Sequence, residues 1–293
     1  VIKMGEFGIV VAVGPEGVGG ATLDFVAAEA LRRGTGVELV HVVHAMVAMP
    51  ASLEQVQAVD GAIRKVGRQV LTAAAIALRP RLGGRVPLNT EIVTGPVVTT
   101  LADRADFADL IVVERREVSP LERLLTMSIS TRVAAHTHTP VVVVPRSWSG
   151  DLGPDLAVTV GVDQPLDALH QVETAQDYAS DSGRPLRVLH AAWLAEPYQG
   201  MVLAGYPRRE WVGNAERELA TGLEKLRDQP DTRLESEVQW ARPVDLLVDA
   251  TRSSAVLMLN RRMGEHPMGG HLGQVTRTVL HHAECPVMVV DQT

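Results

Sequence analysis

The chain is written twice, and a sequence that repeats itself at domain length has to fold as two copies of one unit. ADFADLIVVERR at 105–116 answers to ATRSSAVLMLNRR at 250–262, and VAAHTHTPVVVVPR at 133–146 answers to VLHHAECPVMVVDQ at 279–292. Pro140 and Pro286 stand 146 residues apart, as do Arg115 and Arg261. Nearer the start of each copy, FGIVVAVGPEG at 7–17 pairs with LAVTVGVDQP at 156–165, and VELVHVVHA at 37–45 pairs with LRVLHAAWL at 186–194. Between the copies lies SWSGDLGPD, 147–155, whose Ser, Gly and Pro mark a break. The expected domains are therefore 1–148 and 155–293.

Each copy alternates short apolar runs with segments of helical length. In the first, strands are expected at 7–13, 37–44, 88–93, 109–113 and 140–145, with helices near 19–33, 53–79, 96–106 and 121–136. Leu53, Val56, Val59, Ile63, Val66 and Val70 recur at helical spacing in the longest of these. In the second copy, helices near 166–181, 212–228, 242–252 and 271–283 fill the same slots. Strands alternating with helices imply right-handed crossovers and a parallel sheet covered on both faces. Aromatics are only 3% of the residues, so the core must be built from Val, Leu, Ala and Ile, which suits buried parallel strands. The fold class is α/β: two tandem doubly wound, Rossmann-like domains, each a five-stranded parallel sheet with helices on both faces.

Open parallel sheets bind ligands beyond the carboxyl ends of their strands, where the strand order reverses. The turns to inspect follow the first and fourth strands. The first reads VAVGPEGVGG in one copy and VGVDQPLD in the other; the second reads VVERREVSPLERLLTMSIS and MLNRRMGEHPMGGHLGQVT. GPEGVGG lacks both the Gly-Lys-Ser/Thr ending of a phosphate loop and the spacing of the dinucleotide fingerprint, so it reads as a Gly-rich strand-to-helix turn.

These turns, with the endings AAHTHTPVVVVP and LHHAECPVMVV, resemble the universal stress protein family across essentially the whole chain, as two tandem copies. The resemblance implies the adenine nucleotide alpha hydrolase-like variant of the fold. Nucleotide-binding members carry an Asp just after the first strand and, after the fourth, Gly, two residues, Gly, nine residues, Gly, then Ser or Thr. The Asp meets polar groups of adenosine, and the glycines let backbone N–H groups close around phosphates at a helix N-terminus. In the first copy the Asp position is Gly14, and the glycine positions are Glu114, Glu117 and Met127, with Ser128 agreeing. A carboxylate about 6 Å from one phosphate charge repels it by roughly 3 kcal/mol at an effective dielectric near 20. The first copy is expected not to bind phosphates, its Glu and Arg residues pairing with one another in a solvated turn. In the second copy Asp163 stands at the Asp position and Gly273 at the third glycine; Asn260, Met263 and Gln274 replace the rest, with Gly264, Gly269, Gly270, Arg261 and Arg262 nearby.

The resemblance thus implies a stress-response regulatory or binding protein that takes ATP or another adenine nucleotide in domain 2 only. Asp163 would contact the adenosine and Ala191 would line the base, while the 260–275 loop, with Asn260, Arg261, Gly273 and Gln274, would hold the phosphates. The alternative is a protein-interaction scaffold in which both sites have decayed. No Ser–His–Asp order or nucleophile elbow is present, so the expectation is a non-enzyme, with at most weak ATP hydrolysis. The valine-rich last strands lie at sheet edges in the family, and pairing the two would protect them, making one chain a pseudo-dimer; whole chains could pair further as a homodimer.

Other features narrow the class. Net charge is −7 without long single-sign runs, which gives no footing for nucleic acid or an anionic membrane. No apolar run reaches the roughly 18–20 residues of a membrane span, and the start lacks a cleavable-signal pattern, so the expected compartment is the cytoplasm. Cys285, the one cysteine, forms no internal disulfide or metal cluster and reads as a small hydrophobe before a buried strand. The His41/His44, His136/His138 and His281/His282 pairs lack a carboxylate at ligand spacing, so no metal site is expected.

Overall fold

The computed structural model describes residues 7–43, 53–116, 129–150, 153, 155–226, 233–261 and 272–291. Over these the chain divides into two compact units, the first ending at Gly150 and the second beginning at Asp151. Unit 1 runs β1 (Ile9–Ala12), α1 (Gly20–Arg33), β2 (Val37–Val43), α2 (Leu53–Leu82), β3 (Leu88–Thr94), α3 (Val97–Ala105), β4 (Leu110–Arg115), α4 (Ile129–His136) and β5 (Val141–Pro145). Unit 2 begins with β6 (Ala157–Val162), a 3-10 turn (Pro165–Asp167), α5 (Leu169–Ser182), β7 (Leu186–Ala191), α6 (Glu196–Leu203) and α7 (Arg208–Gly222). It continues with β8 (Leu234–Gln239), α8 (Pro243–Ala250), β9 (Ser254–Arg261), α9 (Gln274–His282) and β10 (Val287–Asp291).

Within unit 1 the strands lie in the order β3-β2-β1-β4-β5 with parallel pairing. Within unit 2 the order is β8-β7-β6-β9-β10, again parallel. The repeat is visible in the register. Ile9 lies opposite Val37 and Leu110, while Val158 lies opposite Leu186 and Val256. The chain steps outward from β1 through β2 to β3, then returns to the other side of β1 with β4. The order therefore reverses between β1 and β4, and between β6 and β9, which opens a crevice beyond the carboxyl ends of those strands.

The strands are apolar because both faces are covered: Leu110, Ile111 and Val112 of β4 are fully buried, as are Val158 and Val160 of β6. Helices α1 and α5 both stop on a glycine in the left-handed region, Gly34 at φ 64° and Gly183 at φ 65°, whose N–H returns to the last turn. The second strands also carry matched polar groups of opposite sign. Glu38 of β2 accepts hydrogen bonds from Arg104 (2.8 Å) and Asn89 (3.0 Å), whereas at the same register Arg187 of β7 donates to Glu237 (2.9 Å). Gln239 and Arg187 together hold the Glu237 carboxyl below its ordinary range.

Some expectations shift. The stretch 147–155 does not begin as a free connector: Trp148 is buried, edge-on to Phe25 of α1 with ring centroids 6.2 Å apart, so its first residues belong to the core of unit 1. Helix α6 was not foreseen, and α7 starts at Arg208 because Pro207, at φ −59°, sets its first turn. The front of the helix expected at 121–136 lies outside the described residues. No helix among the described residues is long and apolar enough to cross a membrane.

Candidate functional site

The crevice of unit 2 holds a cavity of about 620 Å³. Its wall begins at β6, where Gly161 allows close packing: a Cβ there would lie 2.6 Å from Leu247 and 2.9 Å from Leu259. Both leucines line the cavity, and Leu189, Leu246 and Ala250 form an apolar cluster joined by Ala191. Gln171 of α5 donates Nε2–H to the Gly161 carbonyl (2.9 Å), tying the helix to the strand end. His190 Nδ1 lies 3.0 Å from the Val162 carbonyl. A carbonyl can only accept, so Nδ1 carries the proton and, in the neutral ring, Nε2 is an acceptor.

Polar groups converge above this floor. Asp163 and Asp167, both exposed, bring carboxylates from the β6–α5 turn. From the other side, Gly273 caps α9 in extended conformation, and Gln274, Val275 and Thr276 of its first turn line the cavity. The Arg277 N–H bonds back to the Gly273 carbonyl (3.0 Å), so the N–H groups before it have no partner within the helix and carry the positive end of its dipole. Asn260, near the end of β9, completes the wall. Its Oδ1 is buried without a hydrogen-bond partner among the described residues, a state that costs about 1–3 kcal/mol. An unpartnered acceptor in this place is suited to a hydroxyl or an amino group of a ligand. No Lys or Arg lines the cavity among the described residues.

The same corner of unit 1 is arranged differently. Glu114, at the position of Asn260, turns its carboxylate onto the start of α1. There Oε2 accepts from the Gly19 N–H (2.6 Å) and the Thr22 hydroxyl (2.7 Å). Arg146, just past β5, brings Nη1 to 3.4 Å from Oε1, and the Glu114 side chain is only 6% exposed. Arg116 lies directly on the backbone of Gly14, so a side chain at position 14 would overlap its guanidinium. The two glycines of GPEGVGG that matter here are thus places where the chain's own side chains approach: Gly14 under Arg116, and Gly19, whose Cβ would sit 2.8 Å from Glu114 Oε2. His41 repeats the bond of His190, with Nδ1 2.8 Å from the Val13 carbonyl.

Of the residues expected from sequence, Asp163, Ala191, Asn260, Gly273 and Gln274 all line the unit 2 cavity. Arg261 does not. Successive residues of a strand face opposite sides, so with Asn260 on the cavity side Arg261 points away. It is 1% exposed and paired with Asp291, its register neighbour on β10. Burial acts to lower the pKa of this guanidinium, and Asp291 opposes the shift. Of the solvated Glu and Arg turn expected in unit 1, residues 117–128 lie outside the described residues; the Glu114 side chain is only 6% exposed rather than solvated, and its arginine partner is Arg146. Glu117, Met127, Ser128, Arg262, Met263, Gly264, Gly269 and Gly270 lie outside the described residues. Gln171 and His190 were missed, although His190 adjoins Ala191 and Gln171 lies one helical turn beyond Asp167. The Cys285 thiol is buried and pushed up to about 12, which keeps it protonated and inert. Among the described residues no group of three or more His, Cys, Asp or Glu could hold a metal ion.

Comparison with known proteins follows the same division. The model of the universal stress protein family matches residues 8–145 and again 157–291. A universal stress protein of Mycobacterium tuberculosis H37Rv is 26% identical over 310 residues, covering 97% of this chain and 95% of its own. Another, from Mycolicibacterium smegmatis, is 28% identical over 295 residues, covering 97% of each. Among solved structures, a universal stress protein from Archaeoglobus fulgidus superposes with a TM-score of 0.67 at 14% identity, covering 96% of each chain. With both halves matched and relatives aligned over nearly their full length, the chain belongs to the universal stress protein family as a tandem, two-domain member.

Proposed function

We propose that this chain is a stress-response binding protein that takes one adenine nucleotide, ATP or a close relative, in unit 2. Family membership supports the stress-response role. The observation that carries the nucleotide reading is the cavity of about 620 Å³ that gathers Asp163, Ala191, Asn260, Gly273 and Gln274. That volume falls within the roughly 300–1,000 Å³ typical of small-molecule sites.

The roles follow from chemistry. Asp163 accepts from adenosine hydroxyl or amino groups, and Ala191 with the Leu189 cluster packs against the base. The Asn260 amide turns to the ligand, and the first turn of α9 receives a phosphate with its N–H groups and positive dipole. The described lining supplies hydrogen-bonding groups and apolar surface for this, including the carboxylates of Asp163 and Asp167. The protein is a binding module in this reading, with ATP turnover slow at most.

Equilibrium binding of ATP to the full chain and to Asp163→Ala tests the proposal. Loss of a charged hydrogen bond weakens binding about ten- to a hundredfold. Unchanged affinity in the variant removes the site assignment. If the wild-type chain binds no adenine nucleotide, the interaction-scaffold reading takes its place.

A further inference from the structure

We propose that Glu114 is an internal ligand: its carboxylate occupies the anion-accepting start of α1 and closes the unit 1 corner. Four observations meet there. Helix α1 opens on Gly19, which has no side chain to cap it, and its first turn carries no acidic residue. A helix of this kind lacks both the usual acceptor for its leading N–H groups and the usual negative charge near its positive end. Glu114 supplies both from another element, 95 residues away in sequence, by accepting from the Gly19 N–H at 2.6 Å and the Thr22 hydroxyl at 2.7 Å. The second oxygen lies 3.4 Å from Arg146, and the carboxylate is almost wholly removed from solvent. Gly19 is the residue that permits this approach, since any side chain there would press on Oε2.

The same position in unit 2 is arranged differently. Asn260 does not engage the start of α5, where Ala168 replaces Gly19 and Gln171 replaces Thr22, and its Oδ1 is left without a partner among the described residues beside the cavity. In unit 1 the anion is built in. Cutting Glu114 back therefore uncovers a seat of one backbone N–H, one hydroxyl and one guanidinium, which fits a small oxyanion such as phosphate or sulfate.

The test is thermal unfolding of the full chain as wild type, Glu114→Ala and Glu114→Gln, in graded sodium phosphate and in sodium chloride of equal ionic strength. Glu114→Ala is expected to melt about 5–10 °C lower in chloride and to recover part of that loss in phosphate beyond the general phosphate effect seen in the wild type. Glu114→Gln keeps the shape and loses the charge, so it melts lower but shows no added response to phosphate. An Ala variant that melts with the wild type, or whose phosphate response equals that of the wild type, overturns the proposal. If Glu114→Ala does not fold, Thr22→Val carries the test. It removes one donor while keeping the shape, a fall of about 2–4 °C is expected, and an unchanged Tm contradicts the role.

Discussion

The two crevices of this chain share a strand order, a register and even a histidine-to-carbonyl bond, yet in one the strand-end carboxylate is bonded to the chain's own helix and in the other the strand-end amide stands beside a cavity. In unit 1, Glu114 binds the start of α1 and Arg116 covers Gly14. In unit 2, Asn260 and Asp163 stand at those positions beside a cavity of about 620 Å³. The difference teaches that the fold delivers the corner and a few residues at strand ends decide whether it is a site. Gly14 and Arg116 lie together in this corner, and a Cβ at position 14 would require the Arg116 guanidinium to shift. Glu114 and Gly19 form another such pair.

The comparison can be broken or sharpened by substitution. The largest expected effect is on stability and lies behind the cavity. Asp291→Ala removes the carboxylate paired with the buried Arg261 and is expected to cost about 3–5 kcal/mol in denaturant unfolding. ATP affinity measured on the folded variant should stay at the wild-type value, because Arg261 faces away from the cavity. A loss of affinity at intact stability would return Arg261 to the binding surface. Next in size, Asn260→Glu copies unit 1 into unit 2. Ala168 at the start of α5 denies the new carboxylate the close seat that Gly19 gives Glu114, so it adds to Asp163 and Asp167 against an incoming phosphate. About 6 Å from one phosphate charge this repulsion is roughly 3 kcal/mol, or about a hundredfold in affinity by calorimetric titration. Retained affinity would mean that the phosphates of the ligand do not pass near β9. The Asp163→Ala loss, about tenfold at its smaller bound, is the mildest of the three.

Much of the fold was legible in the sequence, for reasons seen at particular residues. Pro140 and Pro286, with the apolar runs that follow them, announced the repeat, and short Val-rich runs between helical segments announced a parallel sheet. The rule that ligands sit beyond strand ends at the reversal of strand order singled out the turns to inspect, and the resemblance to the universal stress protein family then pointed to Asp163, Ala191, Asn260, Gly273 and Gln274. Arg261 was misplaced by reading neighbours in sequence as neighbours in space, although strand alternation sends them to opposite faces. The role of Glu114 was not legible. Its partners Gly19, Thr22 and Arg146 come from α1 and the end of β5, and no local pattern says that a strand-end carboxylate will cap a distant helix. Helix α6 was hidden because EPYQGMVL shows no clear apolar stripe.

Amide hydrogen exchange of the full chain, with and without saturating ATP, tests the asymmetry of the two units most directly. The account predicts slowed exchange across residues 161–171 and at the start of α9, with 14–22 of unit 1 unchanged. Protection of 14–22, or unaltered exchange across 161–171 while ATP is bound, would contradict it.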